Sequence, residues 1–96
     1  MSRNSEFAKL YPLEFGEYGD ILYAGTIDAI ENYYYKGYIP GGFVYHLLCN
    51  DLVGAASRAD AWNAQVLAHY ASWMEEKMPR CAWGSKEIVD AWMEDF

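Results

Sequence analysis

Thr26-Ile27-Asp28-Ala29-Ile30-Glu31-Asn32-Tyr33-Tyr34-Tyr35-Lys36-Gly37, residues 26–37, decides the fold class. Thr26 carries a side-chain oxygen able to accept from a free N–H in a first helical turn, and Asp28 places negative charge near the positive end of the helix dipole. Ile27, Ile30 and Tyr34 recur at helical spacing. Lys36 falls in the last turn, and Gly37 takes the C′ position, where glycine adopts the left-handed conformation at little cost. The spacing predicts a helix over 27–36.

Helical punctuation continues toward the C-terminus. Tyr38-Ile39-Pro40-Gly41-Gly42 is a tight connection, because Pro40 disfavours helix at Ile39 yet is tolerated in a first turn. Phe43, Val44, Leu47 and Leu48 form the next apolar stripe. Asn50 is read as the cap of a short helix carrying Leu52, Val53 and Ala56; a continuous helix through Asp51 is the alternative. Gly54, Ala55, Ala56, Ser57 and Ala59 are small enough for a neighbouring helix to approach closely. Asp60 is expected to cap the longest helix, 61–78, whose stripe is Trp62, Val66, Leu67, Tyr70, Trp73, Met74 and Met78, ended by Pro79. Ser85 caps a last helix through about Glu94, with Glu87 in its first turn and Ile88, Val89, Trp92 and Met93 inward.

Toward the N-terminus the signals thin. Residues 2–11 suit a short helix with Ser5 as cap, ended by Pro12. Leu13-Glu14-Phe15 and Ile21-Leu22-Tyr23 flank a five-residue loop and resemble a small hairpin. An irregular loop pinned by aromatic rings fits equally, since a lone two-stranded hairpin is only marginally stable. The expectation is a mainly α, compact bundle of four to five short helices, with a hairpin or irregular loop at 13–25, forming a single helical domain over 1–96.

Composition bounds the function. Of 96 residues, 53% are apolar and 18% aromatic, too many for a disordered chain. The formal net charge of −7 opposes direct nucleic-acid binding, which rests on Lys and Arg neutralising phosphates. Acidity serves solubility, and it also fits a basic partner. Met1 to Lys9 has no apolar core of a signal peptide, and no apolar run approaches ~18 residues. Cys49 and Cys81 are then expected to be free thiols in a cytosolic protein, with no membrane association.

Motifs for catalysis and metal binding are weak. His46 and Cys49 could share a helix face, but a structural zinc site has two short ligand pairs and only one exists here, so no metal or other cofactor is expected. Cys81 follows Arg80, which could lower its pKa, yet no thiol-enzyme signature accompanies it. Ser57 lacks a G-x-S-x-G elbow, and Ser85 is sufficiently explained as a cap. Pro40-Gly41-Gly42 could cradle a phosphate, but no G-x-x-x-x-G-K-[ST] run follows. No catalytic residue is assigned, and the chain is read as a binder.

Its most informative feature is Tyr33-Tyr34-Tyr35 with Tyr38 close behind. Three successive helical positions span about 200° of circumference, so at least one ring must face outward. Exposed tyrosines typify binding surfaces. Tyr33, Tyr34, Tyr35 and Tyr38 are the first candidate contacts, and the acids Glu87, Asp90, Glu94 and Asp95 form a second patch.

Residues 39–92 resemble a type of small bacteriophage and prophage accessory protein without an assigned activity. The resemblance rests on Ile39-Pro40-Gly41-Gly42-Phe43, Asn50-Asp51-Leu52, Arg58-Ala59-Asp60 with Asn63, Pro79, Trp83-Gly84-Ser85 and Trp92. It implies a phage-encoded protein acting in a bacterial cytoplasm, and it brings no catalytic or ligand residues. The function expected is binding and blocking of a host protein or protein complex, such as a component of an antiviral defence system, in the manner of anti-CRISPR inhibitors. The alternative is an oligomeric sponge that sequesters a nucleotide second messenger, with Tyr38, Arg58 and Arg80 as ligand contacts. A homodimer is a further expectation for a small chain with many exposed rings.

Overall fold

The computed structural model describes residues 2–96, and in it the tyrosine-bearing helix is the longest. That helix, α2, spans Ala24–Lys36 and ends on Gly37 at φ 70°, the left-handed cap read from the sequence. Around it lie α1 (Arg3–Leu10), α3 (Gly42–Leu48), α4 (Leu52–Arg58), α5 (Ala61–Gln65), α6 (Leu67–Lys77) and α7 (Lys86–Glu94). Two 3-10 turns, Gly16–Asp20 and Arg80–Ala82, complete the elements. Among the described residues there is no strand, so the globule is all-α with seven helices rather than four to five.

The core is built on one face of α2. Ile30, Tyr33 and Tyr34 are fully buried with Leu47, Leu48, Tyr70, Trp73 and Val89. Each buried hydroxyl has a partner, as a buried polar group requires. Tyr33 donates to the Ala82 carbonyl at 2.7 Å, and Tyr34 to the Tyr11 carbonyl at 2.6 Å. The Tyr35 hydroxyl accepts from the Leu13 N–H at 2.7 Å. Trp92 of α7 stacks on Tyr34 with ring centroids 5.2 Å apart, and Asn4 of α1 donates to the Trp92 carbonyl at 2.8 Å.

Residues 13–25 resolve to the aromatic-pinned loop, not the hairpin. Phe15 stacks on Trp73 at 4.4 Å, and the Trp73 indole N–H donates to the Glu14 carbonyl at 2.8 Å. Long-range partners therefore satisfy this backbone, leaving it no need of a neighbouring strand. The segment then turns through 3-10 geometry into α2.

Several caps differ from expectation. Ser2, not Ser5, caps α1, accepting from the Ser5 N–H. α2 begins three residues early, at Ala24, so Thr26 lies inside it, buried, with its hydroxyl donating to Asn63 at 3.3 Å. Asn50 adopts φ 63° between α3 and α4, a conformation asparagine tolerates, and Asp51 is the cap that accepts from the Gly54 N–H. The expected helix 61–78 is divided at Val66, whose φ −108° and ψ 16° depart from helical values. Asp60 and Ser85 cap α5 and α7 as read, accepting from Asn63 and Ile88 N–H groups.

Tyr33→Phe is expected to cost about 1–3 kcal/mol by stranding the buried Ala82 carbonyl, measurable by chemical denaturation. Burial also pushes the Tyr33 and Tyr34 hydroxyls well above their ordinary 10.0. A raised folded value means the native chain keeps protons that the unfolded chain releases. Stability from these groups is therefore complete below about pH 10 and declines above it. Tyr33→Phe is expected to flatten that alkaline decline.

Candidate functional site

The tyrosine run divides between core and surface. Tyr33 and Tyr34 are removed from any contact surface, because both rings are fully buried and both hydroxyls are spent inward. Tyr35 is half-buried and holds the Leu13 backbone. Tyr38 alone of the four is exposed, at 58%, with the Lys36 ammonium 5.6 Å from its ring centroid. Beside it Ile39 is 83% exposed, a position whose bulk at a turn could have signalled a contact.

Gly37 connects this exposed pair to the end of α7. A Cβ on Gly37 would stand 2.6 Å from Phe96 Cγ, so the Phe96 ring lies directly on the glycine. Phe96 in turn meets Trp92 edge to face at 5.8 Å. Tyr38, Ile39 and the partly exposed Phe96 thus adjoin Glu94 and Asp95, both exposed. One member of the tyrosine patch, Tyr38, and two of the acidic patch, Glu94 and Asp95, flank the Gly37–Phe96 contact in the chain.

The acids of α7 are not equivalent. Glu87, Glu94 and Asp95 are exposed, whereas Asp90 is half-buried and committed to neighbours. Asp90 accepts from the Tyr45 hydroxyl at 2.7 Å and from the Lys86 ammonium. Lys86 and Tyr45 hold the Asp90 carboxyl below its usual range, and the bond to Asp90 pushes Tyr45 up to about 12. Behind this helix an open groove of about 740 Å³ runs between α1 and α7. Phe7, Ile88 and Trp92 line it, with Arg3, Glu94 and Asp95.

Arg58 and Arg80 stand in different surroundings. Arg58 donates to the Gly54 carbonyl at 3.1 Å and lines a cleft that includes neither Tyr38 nor Arg80. Arg80 lies over the Trp83 ring at 4.5 Å and pairs with Glu75 at 3.4 Å. Tyr38, Arg58 and Arg80 are therefore not lining residues of one cleft.

His46 binds Asp51 rather than pairing with Cys49. Its Nδ1 lies 2.8 Å from the Asp51 carboxylate that caps α4. The Gly54 N–H first, and His46 second, hold the Asp51 carboxyl below its usual value. Gly54 must lack a side chain, since a Cβ there would collide with the Asp51 carboxylate and the His46 ring. Among the described residues no group of three His, Cys, Asp or Glu is placed to hold a metal. Burial pushes both Cys49 and Cys81 thiols upward, and Arg80, engaged elsewhere, does not lower the latter.

No family model matches the chain, and neither a curated protein nor a solved structure matches it. No helix among the described residues is long and apolar enough to cross a membrane.

Thiol titration with a chromogenic disulfide checks the local electrostatics. At neutral pH both cysteines are expected to react more slowly than in the unfolded chain, because raised values leave less thiolate. A thiol reacting faster in the folded protein would contradict this assignment.

Proposed function

We propose that this chain is a non-enzymatic, phage-type accessory protein that binds and blocks a host protein, foremost a component of an antiviral defence system. The observation that supports this reading is the junction at Gly37. There the exposed Tyr38, Ile39 and Phe96 adjoin the exposed carboxylates of Glu94 and Asp95. An apolar centre with an acidic rim has the anatomy of a protein-binding patch. A partner carrying a basic surface around an apolar pocket is its complement, and the net charge of −7 would speed that encounter. The resemblance of residues 39–92 to phage accessory proteins supplies the setting, a bacterial cytoplasm under infection.

The test is phage plating on bacteria that carry a defence system, with and without this protein. Wild type is expected to restore plating on at least one system, and the triple variant Tyr38→Ala/Glu94→Lys/Asp95→Lys is expected to lose that effect. Lysines at the C-terminal end of α7 suit its dipole better than the native acids, so the variant should fold as well as wild type. Direct binding to the blocked component should weaken about tenfold or more in the variant. Undiminished activity of the triple variant would remove the Gly37 junction from the reading. Failure to relieve any system tried would count against the function itself.

A further inference from the structure

Ile88, Ala91 and Asp95 follow one another along α7 at spacings of three and four residues, so they share one side of the helix. Val89 and Trp92 carry the buried contacts of α7. Ile88, although spaced as a core residue, is 36% exposed, and Ala91 is exposed beside it. This side of α7 forms one wall of the groove of about 740 Å³, and α1 forms the other. Two contacts fix the walls to each other. Asn4 of α1 donates to the Trp92 carbonyl at 2.8 Å, and Phe7 meets the Trp92 ring edge to face at 6.1 Å.

The walls limit what can lie between them. Both are helices, whose main-chain groups are bonded internally, and among the described residues there is no strand. An extended peptide would therefore find no sheet edge to pair with. A helix brings its own backbone hydrogen bonds and needs only side-chain contacts. Its side chains pack between those of neighbouring helices as ridges into grooves.

Charge selects the kind of helix. Glu94 and Asp95 line the α7 wall at its C-terminal end. Both are exposed, and among the described residues neither has an ion-pair partner. No basic residue occupies the last turn of α7, so the negative end of the helix dipole adds to the two carboxylates. Arg3, the cation of the lining, belongs to the α1 wall. The groove is thus polarised, with two carboxylates on one wall and a guanidinium on the other.

We propose that the groove between α1 and α7 receives an amphipathic helix of the blocked protein. The apolar stripe of that helix lies on Phe7, Ile88 and Ala91, and a Lys- or Arg-bearing flank faces Glu94 and Asp95. This inference rests on the reading of the chain as a protein inhibitor. It names what the partner presents to the end of α7, beside the Gly37 junction.

The test uses a synthetic peptide of about fourteen residues, roughly four helical turns. It carries leucine at i, i+3, i+4 and i+7 spacing, lysine along one flank and glutamine elsewhere. One control replaces lysine by glutamate, and a second scrambles the order at the same composition. NMR titration of the whole chain is expected to show shifts centred on Phe7, Ile88 and Ala91. The lysine helix is expected to bind about tenfold or more tighter than either control, and to weaken as salt rises. Ala91→Gln, at an exposed helical position, sets a longer side chain into the groove and is expected to weaken binding about tenfold or more. Val53→Ser, at an 83% exposed side chain of α4 outside the groove, is expected to leave binding unchanged. Equal affinity for the three peptides, shifts centred elsewhere, or binding untouched by Ala91→Gln overturns the proposal.

Phage plating separates this inference from the reading it rests on. Relief of defence by Ala91→Gln as complete as by wild type would exclude the groove and leave the Gly37 patch standing. If wild type relieves no defence system yet binds the lysine helix in the groove, the blocking function falls and the preference for a basic helix stands.

Discussion

Everything in this fold hangs on the hydroxyls of one helix reaching carbonyls and amides that have no secondary-structure partner. Tyr33, Tyr34 and Tyr35 reach, respectively, the 3-10 turn before α7, the end of α1 and the start of the loop at 13–25. Each ring fills core volume while its tip satisfies backbone that would otherwise need a sheet or water. The other helices are as short as five and seven residues. Isolated, such helices would be marginal, and their stability comes from tertiary contacts.

The same economy set what could be read in advance. Helix class was legible wherever a local cap and an apolar stripe agree, as at Gly37, Asp60, Ser85 and the last helix. It failed where a long-range partner decides. Thr26 has the chemistry of a cap, but Asn63, thirty-seven residues away, takes its hydroxyl. Asn50 and Asp51 are both good caps in isolation, and the His46 ring and bare Gly54 favour Asp51. The Tyr run shows the limit most clearly. Its spacing requires one ring to face outward, yet which rings face inward depends on where Ala82 and Tyr11 come to lie. Of the acids on α7, Asp90 has a local partner in Lys86, four residues earlier, but its second partner Tyr45 belongs to α3 and is not legible in spacing.

Surface chemistry sorts by the same logic. His46 and Cys49, weighed for metal or thiol chemistry, and Asp90, read as a contact acid, are held by neighbours or suppressed by burial. Outward lie a ring-and-carboxylate patch at Gly37 and, elsewhere, the exposed side chains of Val53 and Trp62. The patch is a product of packing: Gly37 joins two sequence-distant segments. The contact of Phe96 with Gly37 could not be inferred from residue spacing.

The bond from Asn4 to the Trp92 carbonyl spans 88 residues, and that from Trp73 to Glu14 spans 59. A helical bundle ordinarily assembles through neighbours in sequence, which keeps its contact order low and its folding fast. Here α1 and the loop over 13–25 meet α2 early, but part of their packing waits for α6 and α7. In kinetic terms this all-α chain has the topology of a slower folder. During synthesis the Glu14 carbonyl must wait for Trp73, and the Asn4 amide for Trp92.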